Sequence, residues 1–205
     1  MTQDASSGID GAKNNSRGSA WENSRASALN RFKSHLEKGL VDSDIIELLK
    51  QLNNRECLFT TSSCSGRVVL IKGNDPLDKK SASLLYVWHD PSECRSEICL
   101  ALDSVNEMDI SWLSLQPPIL HIVTRSRNLA EQIVKCGKDA GFKRSCYREH
   151  RSGGFLVEVA AYDKTHVFSR DCRIALKLCD ILEEYKKRLD TFRTCVLEKV
   201  NCRSI

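Results

Sequence analysis

The stretch Leu58-Phe59-Thr60-Thr61-Ser62-Ser63-Cys64-Ser65-Gly66-Arg67-Val68-Val69-Leu70-Ile71-Lys72 sets the fold class. An apolar, β-compatible start runs into small hydroxyl and thiol residues, then a glycine and Arg67, then a second apolar run rich in β-branched side chains. Residues 57–61 and Arg67–Lys72 therefore read as two strands joined by a short loop, with no helix between them. A third strand-like run, 83–89, follows a polar loop that holds Pro76. Strands arriving in a run, not in strict alternation with helices, point to an α+β fold with a mixed, largely antiparallel sheet, opening here as a three-strand meander.

Upstream, Ile45, Ile46, Leu48, Leu49 and Leu52 fall at the spacing of one buried helical face, and Asp42 is placed to cap that helix. Residues 21–38 carry a second stripe of Ala28, Leu29, Phe32 and Leu36, stopped by Gly39. Residues 1–20 are mostly Ser, Gly, Asn and Asp, which bury too little to offset ordering, and they read as a disordered tail. Downstream, Pro91-Ser92 opens a helix with Cys94, Ile98, Leu102 and Val105 on one side. Strands near 110–115 and Ile119–Thr124 come next, then a helix capped by Ser126 with Leu129, Ile133, Cys136 and Ala140 inward. Gly153-Gly154 separates strands at 142–147 and 155–162. Residues 171–202 read as one long helix with Ile174, Leu178, Ile181, Tyr185, Leu189, Phe192 and Val196 on its apolar stripe. Residues 21–205 thus read as a single α+β domain ending in that helix.

At 205 residues and 41% hydrophobic content the chain can bury one ordinary core. The net charge of +4 is spread among interspersed Lys, Arg, Asp and Glu, a weak signal for a polyanion partner. No apolar run approaches the roughly 20 residues that cross a bilayer, and the start carries no secretory pattern, so a soluble cytoplasmic protein is expected. The ten cysteines show no CxxC spacing. Cys57, Cys64, Cys94, Cys99, Cys136 and Cys146 fall singly inside strand or helix patterns, which reads as thiols in a reducing compartment and no metal site. No G-x-G occurs, so the Rossmann phosphate turn is missing, as are Walker A and HExxH patterns.

The loop carries the chemistry. Small residues let a backbone approach a ligand, Gly66 can adopt positive φ so that amides converge on an anion, and Arg67 offers a planar fork for carboxylate or phosphate. The alternative is a Ser-rich turn whose hydroxyls satisfy only local groups. Cys64 invites a nucleophile reading, but no base neighbours it in sequence. His89 and His121, each at or near the end of a strand, can approach the loop in space and are the candidate proton acceptors, against a purely structural role. Lys72, Arg125, Arg127, Lys143, Arg144, Arg148 and Arg151 can form a positive surface for phosphates. Lys177, Lys186, Lys187, Arg188 and Arg193 alternate with Glu183, Glu184 and Asp190, which reads as a solvated helix face.

These residues resemble the wybutosine-synthesis methyltransferase family, tRNA wybutosine-synthesising protein 3 and its archaeal relatives. The match runs from Leu40-Val41-Asp42 through the following helix into Phe59-Thr60-Thr61-Ser62-Ser63-Cys64-Ser65-Gly66-Arg67. It continues at His89, at Pro118-x-Leu120-His121 with Arg125, and at Ala140-Gly141-Phe142-Lys143-x-Ser145. The resemblance implies a non-Rossmann fold. It also implies methyl transfer from S-adenosylmethionine to a ring nitrogen, N4, of the wybutosine precursor beside the anticodon of phenylalanine tRNA. Carried over by position, the residues at stake are Ser62, Ser63, Cys64, Ser65, Gly66, Arg67, His89, His121 and Arg125. The roles expected of them are our own hypothesis: Ser62 to Arg67 for the cofactor, His89 and His121 for catalysis, and Arg125 with Lys72, Lys143 and Ser145 for the RNA. The chain departs from the family pattern at Cys146, Cys179 and Ile181, while Glu183-Glu184-x-Lys186-Lys187-Arg188-Leu189 still fits. A noncatalytic RNA-binding module is the alternative from another class.

Overall fold

A computed structural model describes residues 9–78, 80–106, 109–161 and 165–202. In chain order its elements are α1 (Ile9–Glu37), a short 3-10 turn (Ser43–Ile45), α2 (Ile46–Asn53), β1 (Leu58–Cys64), β2 (Arg67–Lys72), β3 (Ser83–Trp88) and α3 (Pro91–Ser104). There follow β4 (Ser111–Gln116), β5 (Ile119–Thr124), α4 (Arg127–Asp139), β6 (Cys146–Glu149), β7 (Phe155–Ala160), β8 (Thr165–Val167) and α5 (Cys172–Lys199). Among the described residues the strands form two four-stranded sheets, β1-β5-β7-β6 and β3-β2-β4-β8. Every pairing is antiparallel.

The α+β class, the antiparallel pairing and the long last helix agree with the sequence reading. The opening meander does not: β1 and β2 lie in different sheets, so the chain crosses between sheets at Ser65-Gly66. It crosses back at Pro117-Pro118, between β4 and β5. The two crossings lie side by side, with Cys64 opposite Ile119 and Arg67 opposite Gln116. Gly66 is required there twice over. Its φ is 87°, and a Cβ at this position would stand 2.9 Å from Pro118 Cδ.

One core cluster joins the buried faces of α2, α3, α4 and α5 to alternate residues of the strands, among them Leu58, Val68, Leu70, Leu113, Leu120, Ile122, Val157 and Val159. On the other face of the first sheet, α1 lays Trp21 against Phe59 and Val123, with ring centroids 5.1 Å apart for Trp21 and Phe59. The backbone of α1 is helical from Ile9, so the helix runs back into the segment whose composition reads as a tail; residues 1–8 lie outside the described residues. Helix starts follow the expected chemistry at Asp90, which accepts from the Ser92 and Glu93 amides ahead of α3, and at Ser126, which accepts from Leu129 ahead of α4. Along α5 the buried stripe is Ala175, Leu178, Cys179, Leu182, Tyr185, Leu189, Phe192 and Val196. Ile174 and Ile181, placed inward by a 3.5-residue repeat, are exposed, because a straight helix drifts from that repeat over several turns.

The cysteines correct the sequence reading most plainly. Cys57–Cys202, Cys94–Cys179, Cys99–Cys172 and Cys136–Cys195 are disulfides with Cα separations of 5.2 to 5.9 Å, and only Cys64 and Cys146 are free. Each bridge has one end on α5 or in the turn just after it, so α5 is tied to β1, α3 and α4. Arg55 adds a cap at its end, donating to the Val196, Leu197 and Val200 carbonyls. No helix among the described residues is long and apolar enough to cross a membrane.

Candidate active site

The site forms where the first sheet crossing is clamped from three directions. The end of α2 fixes β1 through Asn53, which accepts the Thr60 amide at 2.8 Å and donates to the Thr60 hydroxyl at 2.9 Å, all of it buried. Beyond Thr60 the register against β5 shifts: Thr60 lies opposite Ile122 and Ser63 opposite Leu120. Two residues, Thr61 and Ser62, therefore face His121 alone, a bulge that re-aims a side chain. The Ser62 hydroxyl lies 2.7 Å from His121 Nδ1, and His121 Nε2 lies 3.2 Å from Glu158 Oε2. Ser63 Oγ is buried without a hydrogen-bond partner.

At the crossing itself Ser65 and Gly66 are buried. The Ser65 amide donates to Asp42 Oδ2 at 2.7 Å. Lys186, reaching in from α5, donates from Nζ to Ser65 Oγ at 2.9 Å, Ser65 O at 3.1 Å, Gly66 O at 3.2 Å and Asp44 Oδ2 at 2.8 Å. Two sequence expectations change here. Asp42 makes no side-chain cap to its own helix; its carboxylate serves the loop instead. Lys186 is not on a solvated face: its side chain is 17% exposed and it grips the loop's carbonyls. Arg193 likewise turns inward and donates to the Asp44 carbonyl at 2.7 Å. The loop is thus held at both its amide and its carbonyl side, so a simple nest of free amides does not describe it.

His89, just past β3, sets Nδ1 3.6 Å from Asp42 Oδ1, beyond hydrogen-bond reach, and that nitrogen is buried without a partner. Its ring lines a cavity of about 410 Å³ beside the loop, within the size range of small-molecule sites. Asp44, Asp90, Glu93 and Asp190 line that space together with Lys186 and Arg193; Asp44 pairs with Lys186 at 2.8 Å and Asp190 with Arg193 at 3.2 Å, so Asp90 and Glu93 are the carboxylates in excess, a balance that suits a cationic ligand. Arg67 Nε donates to Gln116 Oε1 at 2.9 Å, which sets the plane of its guanidinium. Burial, helped by the Asp42 carboxylate, pushes the Cys64 thiol above its ordinary range against the opposing pull of the Gly66 amide and Arg67. A thiol held this way is less readily ionised than an ordinary cysteine, which argues against a thiolate nucleophile at Cys64.

Ser62, Ser63, Cys64, Ser65, Gly66 and Arg67 run through the crossing, and His121 meets Ser62 on the face of the first sheet away from the core helices. His89 lines the cavity with Lys186, which ties that cavity to Ser65 and Gly66; the lining includes neither His121 nor residues 62–67. The structure does not gather the proposed RNA contacts. Lys72 ends β2 at the strand's far end from Arg67 and pairs with Asp109 at 2.7 Å. Arg125 lies past the end of β5 remote from Pro118, over the Trp21 ring and 3.7 Å from Glu22. Lys143 lines a separate cavity with Lys187 and Arg188. Ser145 is buried, and its hydroxyl donates to the Phe142 carbonyl at 2.7 Å, so it closes a turn and is not presented to a substrate. Asp42, Asp44, Glu158 and Lys186 are the site residues that sequence reasoning passed over. Lys186 could have been found from its place beside Tyr185 at the edge of the buried stripe.

Residues 23–195 match the family described as Methyltransferase TYW3. A tRNA(Phe) 7-((3-amino-3-carboxypropyl)-4-demethylwyosine(37)-N(4))-methyltransferase of Thermococcus sibiricus is 34% identical over 68% of this chain and 70% of its own length. A tRNA wybutosine-synthesizing protein 3 homolog of Xenopus laevis is 29% identical over 81% of this chain and 72% of its own. Among solved structures, the PH1069 protein from Pyrococcus horikoshii superposes with a TM-score of 0.76 at 27% identity, covering 89% of this chain and 97% of that one.

Proposed function

The chain belongs to the Methyltransferase TYW3 family, and we propose that it transfers a methyl group from S-adenosylmethionine to ring nitrogen N4 of the wybutosine precursor in phenylalanine tRNA. The activity named for the archaeal relatives supports the reaction and the RNA. The observation that carries the reading onto this chain is the carboxylate-lined cavity against the clamped sheet crossing. S-adenosylmethionine supplies an electrophilic methyl on a cationic sulfonium. The donor set fits such a group: with Asp44 and Asp190 paired to Lys186 and Arg193, Asp90 and Glu93 offer negative charge to its sulfonium and ammonium. His89, which lines the cavity, holds a buried Nδ1 without a hydrogen-bond partner.

The chain's own residues then act mainly by positioning. Asp42 and Lys186 hold Ser65 and Gly66 from opposite sides, so the loop needs little reorganisation when a ligand arrives. Gln116 holds Arg67 in plane to receive a carboxylate or a phosphate. His121 is within reach of a proton through Ser62. Titration of S-adenosylmethionine into the protein by calorimetry tests the reading: saturable heat at one site is expected, and tRNA binding with no cofactor heat would make this an RNA-binding module instead.

A further inference from the structure

We infer that Glu158 is a positioning residue for methyl transfer: its carboxylate keeps the His121 proton on Nε2, leaving Nδ1 free to take a proton delivered through Ser62. The inference rests on the methyltransferase reading and deepens it. Ser62, His121 and Glu158 stand in a row on β1, β5 and β7, neighbouring strands of one sheet, with His121 and Glu158 directly opposite in register. Their chain neighbours Leu120, Ile122, Val157 and Val159 are buried in the core, so the row lies on the sheet's other face. Both His121 and Glu158 are largely covered, with side chains 20% and 27% exposed.

The direction of the row follows from donor and acceptor rules. An ionised carboxylate only accepts, so the 3.2 Å contact to Glu158 requires the proton on His121 Nε2. A neutral ring then carries a lone pair on Nδ1, and the Ser62 hydroxyl at 2.7 Å must donate to it. That leaves the lone pairs of Ser62 Oγ, which is on an exposed residue, open to an incoming N–H. A ring nitrogen that gains a methyl, as the bond from that methyl to the sulfonium breaks and sulfur keeps the pair as a neutral thioether, must lose its proton. That proton passes to Ser62 Oγ as the Ser62 hydroxyl proton passes to His121 Nδ1. The ring nitrogen keeps the electron pair of its broken N–H bond, and the imidazolium formed faces the Glu158 carboxylate before releasing its proton to water. Without Glu158 the ring can take the other tautomer, with Nδ1–H donating to Ser62, and the relay runs the wrong way.

Ring ¹⁵N NMR of the wild-type protein without cofactor, at a pH above the ordinary histidine range, tests the tautomer independently of activity. Protonated Nε2 and bare Nδ1 on His121 are expected, with a mixed pattern in Glu158→Leu; a proton on Nδ1 in the wild type overturns the inference. In single-turnover methylation Glu158→Gln and Glu158→Leu should lose on the order of 10²-fold in rate, with S-adenosylmethionine affinity unchanged. Wild-type transfer with unaffected Glu158 variants would overturn this inference alone. Absence of both transfer and cofactor heat in the wild type would overturn the underlying methyltransferase reading. Covalent labelling of Ser62 by a fluorophosphonate would assign the row to acyl chemistry and also overturn it.

Discussion

Replacing Lys186 by Met isolates the clamp on the sheet crossing. Met keeps most of the buried stem of the lysine, so packing changes little. What disappears is a cation donating to Ser65 O, Gly66 O and Ser65 Oγ at 2.9 to 3.2 Å, together with its pair to Asp44. Asp44 is 39% exposed and regains water, whereas Ser65 and Gly66 are buried and their carbonyls do not. Losing charged hydrogen bonds to buried acceptors costs about 2–3 kcal/mol, which lowers the melting temperature of a domain this size by about 5–10 °C. Lys187→Met is the control. That side chain is 65% exposed and paired only to Glu183 one turn away, so its loss should stay within about 0.5 kcal/mol. Differential scanning calorimetry reads both variants, and titration with S-adenosylmethionine should show weakened binding for Lys186→Met alone. Equal melting temperatures for the two variants, with wild-type cofactor affinity in each, would refute the clamp.

Gly66→Ala forces a side chain into left-handed backbone and against Pro118, so it should destabilise the protein by about 2–4 kcal/mol and depress cofactor affinity; a variant as stable as the wild type by urea denaturation would contradict the crossing geometry. Denatured without reductant, the chain should take up iodoacetamide only at Cys64 and Cys146, and peptide mass spectrometry showing more alkylated sites would reject the pairing of the other eight cysteines. With Cys94–Cys179 in place, the bridge from Cys57 to Cys202 closes a loop of about 60 residues, so the Cys57→Ser/Cys202→Ser variant should lose about 4 kcal/mol under non-reducing conditions. In the native protein the exposed Cys146 should alkylate before Cys64, whose raised thiol pKa leaves less thiolate at any given pH; faster labelling of Cys64 would revive it as a nucleophile.

Helix faces and the chemically unusual loop were legible because their signals are local. Leu48, Leu49 and Leu52 on α2, Ile98 and Leu102 on α3, and Leu129 and Ile133 on α4 are buried as their spacing implies. The division of strands between two sheets was not legible, since Thr60 and Ser63 pair with β5, some sixty residues further along the chain. Asp42 carries the pattern of a helix cap, and only the folded chain shows its carboxylate turned to Ser65. Glu158 is one polar residue in an alternating strand, and nothing local marks the histidine opposite it. The disulfides join residues 59 to 145 positions apart, beyond any spacing rule, although Cys172 and Cys179 sit two turns apart on α5 and face Cys99 and Cys94 on α3.

Incubating the purified protein with S-adenosylmethionine and phenylalanine tRNA from a strain lacking the endogenous enzyme, followed by nucleoside mass spectrometry, tests the central claim most directly. Gain of one methyl group on N4 of the wybutosine precursor is expected, abolished when Gly66→Ala displaces the loop. An unmodified precursor in the presence of folded, cofactor-binding protein would contradict it.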